Sequence, residues 1–376
     1  MKKITLLILV FCTIISCRTK QHQYRVALAV SSVISRPGYD KAMRYSCEAM
    51  IDHVNRFGGI NGNKIGLVVY DDGGDPEKAR DNARTIAGQH DIIGVVGYVL
   101  PECLASAREV YDRDPIAVLT PVLTESGILG TNSVFRATVS DVAEGNAIAD
   151  YAAMLGARRV FIIAQNGTAY SNTAFAIDNA AAGKFAVAGH KWFEPGEVDF
   201  ANLAATVRNL SPDTVVIAGN FREAGLIVSE LKPKRANITV IGTSDVAMAD
   251  FVNIASVDHA ENVLATTPFI FFKNLNESID IFNDRYAKLS GRNATWVAFN
   301  TYEAMGLILH AAQNGADRGK IIDTLRARTG SQFLGLAGTH GFDEKQESTR
   351  TPIIVEVKRG KWAIAAKQLP RSEKIY

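Results

Sequence analysis

Cysteine is scarce in this sequence. Two of the four in its 376 residues, Cys12 and Cys17, stand near the start, and only Cys47 and Cys103 remain for the body of the chain. These two either pair in an oxidising compartment or stay as buried free thiols, and a disulfide framework is excluded in both cases. Charge bias is missing too: the net charge is +2 with no basic run, which argues against nucleic acid as a partner. No segment beyond the first residues offers about 18 uninterrupted apolar residues, the length that reads as a membrane-spanning helix. Histidine is thinly spread, at His22, His53, His90, His190, His259, His310 and His340, and none has the spacing of a metal ligand. There is no Gly-x-Ser-x-Gly elbow, no His-Glu-x-x-His, no Walker loop and no Gly-x-Gly-x-x-Gly opening a helix after the first strand. Neither a cofactor nor catalysis is expected.

What is present is an ordinary globular composition. With 47% apolar and 21% charged residues the chain is neither disordered nor collagen-like, and its length points to two domains. Residues 1–17 are set apart. Lys2 and Lys3 precede apolar residues 4–15 and then Ser16-Cys17, the layout of a secretory signal, too short for a comfortable span. Ile14-Ile15-Ser16-Cys17 resembles a bacterial lipobox, which implies that Cys17 becomes the lipidated first residue; plain secretory cleavage beside an incidental cysteine is the alternative. Residues 18–23 then form a polar tether, and lipid alone would hold the chain at a membrane.

The body of the chain alternates strand and helix. Residues 24–30 read as a first strand, 39–57 as a helix stopped by Gly58-Gly59-Ile60-Asn61-Gly62, and 64–70 as a second strand. Asp75 is placed to cap a helix over 76–88, with Pro76 at its first position. A similar series follows Phe135-Arg136-Ala137-Thr138: helices over 143–155, 170–182, 200–210 and 223–231 interleave with strands over 159–165, 188–193, 214–219 and 238–242. The chain returns to the first unit near Thr266-Thr267-Pro268, with helices around 278–289, 298–313 and 318–329, and 352–366 closes as a hairpin about Gly360. The pattern is α/β: two doubly wound lobes hinged around a cleft.

The stretch 92–124 organises the rest. Residues 92–97 are an apolar run, too short for a helix and suited to a buried parallel strand. Pro101 fits the first position of the next helix, where the N–H groups of Glu102 and Cys103 have no intrahelical partner. A second strand, 116–119, runs into Thr120-Pro121-Val122-Leu123-Thr124-Glu125-Ser126. Ligands of open α/β sheets sit beyond such carboxyl ends, and helix N-termini there favour anions. The two turns make a candidate cradle.

Gly58-Gly59-Ile60-Asn61-Gly62-Asn63-Lys64-Ile65, followed by Tyr70-Asp71-Asp72-Gly73-Gly74-Asp75-Pro76-Glu77-Lys78-Ala79, resembles the branched-chain amino-acid-binding family of type I periplasmic binding proteins, the solute receptors of ABC importers. Gly94-Val95-Val96-Gly97, Leu119-Thr120-Pro121, Phe135-Arg136, the Tyr170 loop and Ala298-Phe299-Asn300-Thr301-Tyr302-Glu303-Ala304 follow in the family's order. The likeness extends over residues 24–362. It implies a Venus-flytrap receptor of the leucine/isoleucine/valine-binding type with a three-crossing hinge: residues 24–140 with 268–343 in lobe one, 141–267 with 344–370 in lobe two. It also implies a monomer that closes on a small-molecule solute, an amino acid or analogue, and presents it to an ABC permease at the periplasmic or extracellular face of the cell envelope. Closure needs a ligand that touches both lobes, since only differential affinity shifts the population. A sensory or scaffolding lipoprotein on the same fold, without a transport role, is the alternative, because fold does not fix function.

The resemblance also nominates a pocket. Thr124 matches a threonine that holds the ligand's carboxylate, with Val122 and Leu123 where small residues are usual; a helix cap is the other reading of Thr124. At the first turn Pro101-Glu102-Cys103 replaces a serine cluster. Glu102 either favours the positive end of its helix or faces the cleft, where it would repel a carboxylate and attract a cation. Tyr170 matches a tyrosine that closes over the ligand, its alternative being a surface helix position. Asn220 stands where an aromatic is usual, and Ser244 where an acid holds the ammonium. Asp245, next to it, suits that task or the capping of its own loop. Tyr39 lines the side-chain pocket or packs at the start of its helix, and Ser31 and Ser32 follow the first strand.

Overall fold

The computed structural model describes residues 24–33, 38–130, 133–231, 238–269, 271, 277–327, 333–336 and 338–370. Strands β1 (Tyr24–Val30), β2 (Ile65–Asp71), β3 (Ile92–Gly97), β4 (Val118–Thr120) and β5 (Val134–Arg136) form one sheet in the order β2-β1-β3-β4-β5, with every pairing parallel. Helices α1 (Tyr39–Arg56), α2 (Pro76–Ala87) and α3 (Pro101–Arg113) connect its first four strands. The chain then crosses into α4 (Asp141–Met154) and a second sheet built of β6 (Arg159–Gln165), β7 (Ala186–Phe193), β8 (Thr214–Ala218), β9 (Thr239–Gly242) and β10 (Leu264–Thr267). Its connections are α5 (Thr168–Ala181), α6 (Ala201–Leu210), α7 (Phe221–Leu231) and the short α8 (Ala249–Ala255) and α9 (Val257–Ala260).

The order β7-β6-β8-β9-β10 repeats that of the first sheet. Each sheet therefore has a switch point where the winding reverses, between β1 and β3 and between β6 and β8, the places where open α/β sheets bind ligands. Next, α10 (Glu277–Ser290), α11 (Trp296–Ala311) and α12 (Arg318–Arg326) pack back onto the first unit. A small hairpin, β11 (Phe333–Gly335) with β12 (Gly338–His340), follows. Finally β13 (Ile353–Lys358) and β14 (Lys361–Ile364) extend the second sheet antiparallel beside β10. We call the unit around each sheet a lobe.

Both faces of each sheet are buried. In β1, Val26 and Leu28 join the core under α1 and α11, while Ala27 and Ala29 join the one under α2 and α3, the two-residue alternation of a strand covered on both sides. In β6, Phe161 and Ile163 face the α6–α7 side, and Val160 and Ile162 the α4–α5 side. Two glycines are placed by contact. A Cβ on Gly94 would lie 2.8 Å from Ile308 Cγ2, so α11 can press on β3 only because that side chain is missing. Gly97 has φ 151° and a Cβ there would stand 2.4 Å from the Ala29 carbonyl oxygen, which ties the end of β3 to the end of β1 at the switch point.

The expected cap at Asp75 forms, and two further helices are capped in the same way. Asp75 accepts from Glu77 N at 2.9 Å ahead of Pro76; Ser140 accepts from Ala143 N at 3.2 Å and Asp317 from Lys320 N at 3.0 Å. Cys47 and Cys103 are both buried free thiols. The second strand of the organising stretch lies at Val118–Thr120, two residues later than its apolar run begins, and α12 ends at Arg326, short of the expected 329. No helix of the described residues is long and apolar enough to cross a membrane. Residues 1–23, which carry the expected signal, Cys17 and tether, lie outside the described residues.

Candidate ligand cleft

The nominated residues fall on the turns at the carboxyl ends of both sheets. Ser31 follows β1, Asp72 follows β2, Glu102 and Cys103 begin α3 after β3, and residues 121–124 follow β4. In lobe two, Tyr170 stands in the first turn of α5 after β6, Asn220 links β8 to α7, and Ser244 and Asp245 follow β9.

Two of them are joined directly. The Tyr170 hydroxyl donates to Asp245 Oδ2 at 2.7 Å, so residues 75 positions apart in the chain form one acidic, hydrogen-bonding unit. Ser244 donates its N–H to Glu144 Oε1 at 2.8 Å, and Thr266 donates its hydroxyl to the same oxygen at 2.6 Å. Glu144 was not nominated. It lies inside α4, and its role rests on partners 100 and 122 residues away. Asn220 caps α7: its Oδ1 accepts from Arg222 N at 2.8 Å, while its amide nitrogen donates to Gln165 Oε1 at 2.8 Å. The polar residue at that position therefore serves the loop.

On the lobe-one side the side chains of Val122 and Leu123 are fully buried, one in the core under α11 and the other in the core under α3. Only their backbone reaches the turn, and the Leu123 carbonyl is taken by Arg136. No helix begins at Thr124, so its capping alternative lapses; its carbonyl accepts from Asp141 N at 2.9 Å. Tyr39 is half-buried and sets its ring edge-on to Trp296 with centroids 5.8 Å apart, which is packing at the helix start. Glu102 is exposed in the first turn of α3.

Beneath that turn lies a buried polar cluster. Ser31, Asp72 and Thr120 are at most 1% exposed; Ser31 and Cys103 approach the Asp72 carboxyl, yet Ser31 Oγ, Asp72 Oδ2 and Thr120 Oγ1 complete no hydrogen bond of good geometry. Asp72 Oδ1 accepts from Gly74 N at 2.8 Å. Burial raises the Asp72 carboxyl above its ordinary value, only partly offset by nearby Ser31, Gly74 and Cys103. Burial, with Asp72 adding to it, pushes the Cys103 thiol up to about 12. Cys103 is thus a protonated thiol at neutral pH and no nucleophile.

The segments that pass between the lobes are tied to these turns. Arg136, fully buried, donates to the carbonyls of Leu123 and of Glu125 (2.8 Å) and to Glu347 Oε2 at 2.6 Å, joining the β4 turn, β5 and the last crossing. Asp141 accepts from Ser126 on the lobe-one turn and, at 2.8 Å, from Asn172 Nδ2 on α5. Asn300 on α11 donates to Thr138 Oγ1 at 2.9 Å.

Glu144 makes a pH prediction. Burial raises its pKa above 4.5, Thr266 and Ser244 oppose the shift, and Asp245 adds to it. The native state therefore binds this proton more tightly than the unfolded chain. Its stabilisation is full below 4.5 and is lost as pH rises through the raised value. Glu144→Gln keeps an acceptor for Thr266 and Ser244 but does not titrate. Urea midpoints between about pH 4 and 7 should fall less steeply for the variant than for wild type; parallel profiles would exclude Glu144 as the source.

The family model described as periplasmic binding protein matches residues 28–361. The chain belongs to that family. It is therefore a solute-binding protein and not an enzyme, of a family that works outside the cytoplasm. Among individual relatives, the chain is 24% identical over 333 residues to the leucine-, isoleucine-, valine-, threonine- and alanine-binding protein of Pseudomonas aeruginosa, covering 85% of this chain and 86% of that one. It is 26% identical over 319 residues to the Leu/Ile/Val-binding protein of Escherichia coli, covering 82% and 85%. A branched-chain amino acid transporter substrate-binding protein from Streptococcus pneumoniae, solved with isoleucine, superposes with TM-score 0.75 at 21% identity over 90% of this chain and 97% of its own. A solute-binding protein of an ABC transporter from Rhodopseudomonas palustris, solved with 3,4-dihydroxybenzoic acid, superposes with TM-score 0.76 at 18% identity over 92% and 97%. The expected fold, two α/β lobes of the type I periplasmic binding protein, is the one observed. Neighbours that hold an amino acid and an aromatic acid share it, so the periplasmic binding protein fold alone does not name a ligand.

Proposed function

We propose that this chain is an extracytoplasmic solute-binding lipoprotein that captures an amino acid or related small polar metabolite between its lobes and delivers it to an ABC importer. The observation that carries the reading is the Tyr170–Asp245 pair at 2.7 Å. A phenol that donates to one carboxylate oxygen fixes the direction of the other, and an oriented carboxylate on a half-buried turn suits a ligand ammonium. The turns around Glu102, Cys103, Val122, Leu123 and Thr124 supply the opposing wall, with main-chain groups as the hydrogen-bonding atoms at 122 and 123. The names of the amino-acid-binding relatives favour the same ligand class. Residues 24–140 with 268–343 would move as one lobe and 141–267 with 344–370 as the other, with the anchor at Cys17.

Uptake tests the transport role. Cells lacking this chain should lose high-affinity uptake of the bound solute and regain it with the wild-type chain. Cys17→Ser should leave solute affinity unchanged but shift the protein from the membrane fraction to the soluble one. A solute that binds while uptake is unaffected would favour a sensory role.

A further inference from the structure

We propose that the solute carries a net positive charge and that Glu102 selects for it. The inference rests on the receptor reading above and adds the ligand's charge. The charge inventory of the carboxyl-edge turns is one-sided. Around lobe one the turns carry Asp72, Glu102, Glu125 and Asp141; around lobe two they carry Glu194, Glu223 and Asp245. Among the described residues the cations there are four, against a larger number of acids: Lys41 and Lys78 stand in the first turns of α1 and α2, and two arginines complete the set. Arg136 is fully buried and spent on Glu347 and two carbonyls, and Arg222 is exposed in the first turn of α7. A cleft lined by one sign of charge concentrates the opposite sign.

The α3 N-terminus sharpens the point. Its free N–H groups would ordinarily draw an anion, but Glu102 brings its own carboxylate to that turn and makes no ion pair with a described residue. An incoming carboxylate meets like charge; an ammonium or guanidinium meets a partner. The second, independent observation lies just inside. Ser31 Oγ, Asp72 Oδ2 and Thr120 Oγ1 are acceptor-capable oxygens at the ends of β1, β2 and β4, all buried and none with a hydrogen bond of good geometry, though Ser31 and Cys103 stand close to Asp72. Such oxygens, two on the neighbouring ends of β1 and β2 and one across β3 on the end of β4, are costly to leave so, and a donor-rich cationic group satisfies them without adding charge of the wrong sign.

The test is calorimetric titration of the purified protein with four probes that differ in charge: L-lysine, 1,5-diaminopentane, L-norleucine and L-2-aminoadipate. The expected result is binding of lysine or diaminopentane at least about tenfold tighter than norleucine, with aminoadipate weakest and the preference shrinking as salt rises. Glu102→Gln, an exposed position whose melting temperature serves as the folding control, should lose about tenfold for the cation and gain for norleucine. Norleucine or aminoadipate binding as tightly as the amines would overturn the charge proposal and leave the receptor reading standing. An unchanged preference in Glu102→Gln would overturn the role of Glu102. If none of the four binds, both the charge proposal and the amino-acid reading fail.

Discussion

Arg136→Met lowers the stability of the protein by roughly 3–5 kcal/mol, the cost of removing one partner from a buried charge network. The guanidinium is 0% exposed and is shared between Glu347 and the carbonyls of Leu123 and Glu125. Methionine fills the volume but leaves two buried carbonyls and a carboxylate without their donor. The effect should be read as a lower urea midpoint at unchanged slope. Arg136→Lys restores charge without the planar fork, so it should recover only part of the loss. A wild-type midpoint in Arg136→Met would show that the crossings are held elsewhere.

Asp245→Asn has the second large effect, and on binding rather than on folding. Asparagine can still accept from the Tyr170 hydroxyl, so the loop geometry is kept while the charge is lost. Affinity for an ammonium-bearing solute should fall roughly ten- to hundredfold, the range of a hydrogen bond to a charged group, with the melting temperature of the empty protein little changed. Tyr170→Phe removes the orienting bond instead and should give a smaller loss. Equal affinity in wild type and both variants would mean that this turn does not touch the ligand.

The architecture was legible because its signals are local. The continuous apolar run of β3 bounded by glycine, Asp75 ahead of Pro76, and the glycine-rich stop after α1 each specify an element without reference to the rest of the chain. Elements that depend on partners were not legible. β5 is three residues long, too short to show a period, and exists because β4 offers a parallel edge. The short helices α8 and α9 lie in the mixed sequence 249–260, where no apolar stripe marks them.

The site divides in the same way. Tyr170 and Asp245 were nominated separately, and their hydrogen bond could not be read from positions 75 residues apart. Val122 and Leu123 occupy the expected turn, but their alternation sends both side chains into the cores, a consequence of β4 being covered on two faces. Glu144 is hidden from sequence reasoning because a carboxylate in the first turn of a helix ordinarily faces water at the positive end of the helix; here Thr266 and Ser244 meet it inside the protein. Asp72 was in view as part of Asp71-Asp72, yet only the structure shows which of the two is buried.

Binding of a small solute through Asp245 can be measured by thermal unfolding of the wild-type and Asp245→Asn proteins, both stripped of bound solute, against a panel of amino acids, amines, amides and small carboxylates. At least one solute, at a hundred times its dissociation constant, should stabilise wild type by roughly 2.7 kcal/mol, and most of this gain should be lost in Asp245→Asn. No stabilisation across the panel in a folded protein, or a gain that survives undiminished in the variant, would contradict it.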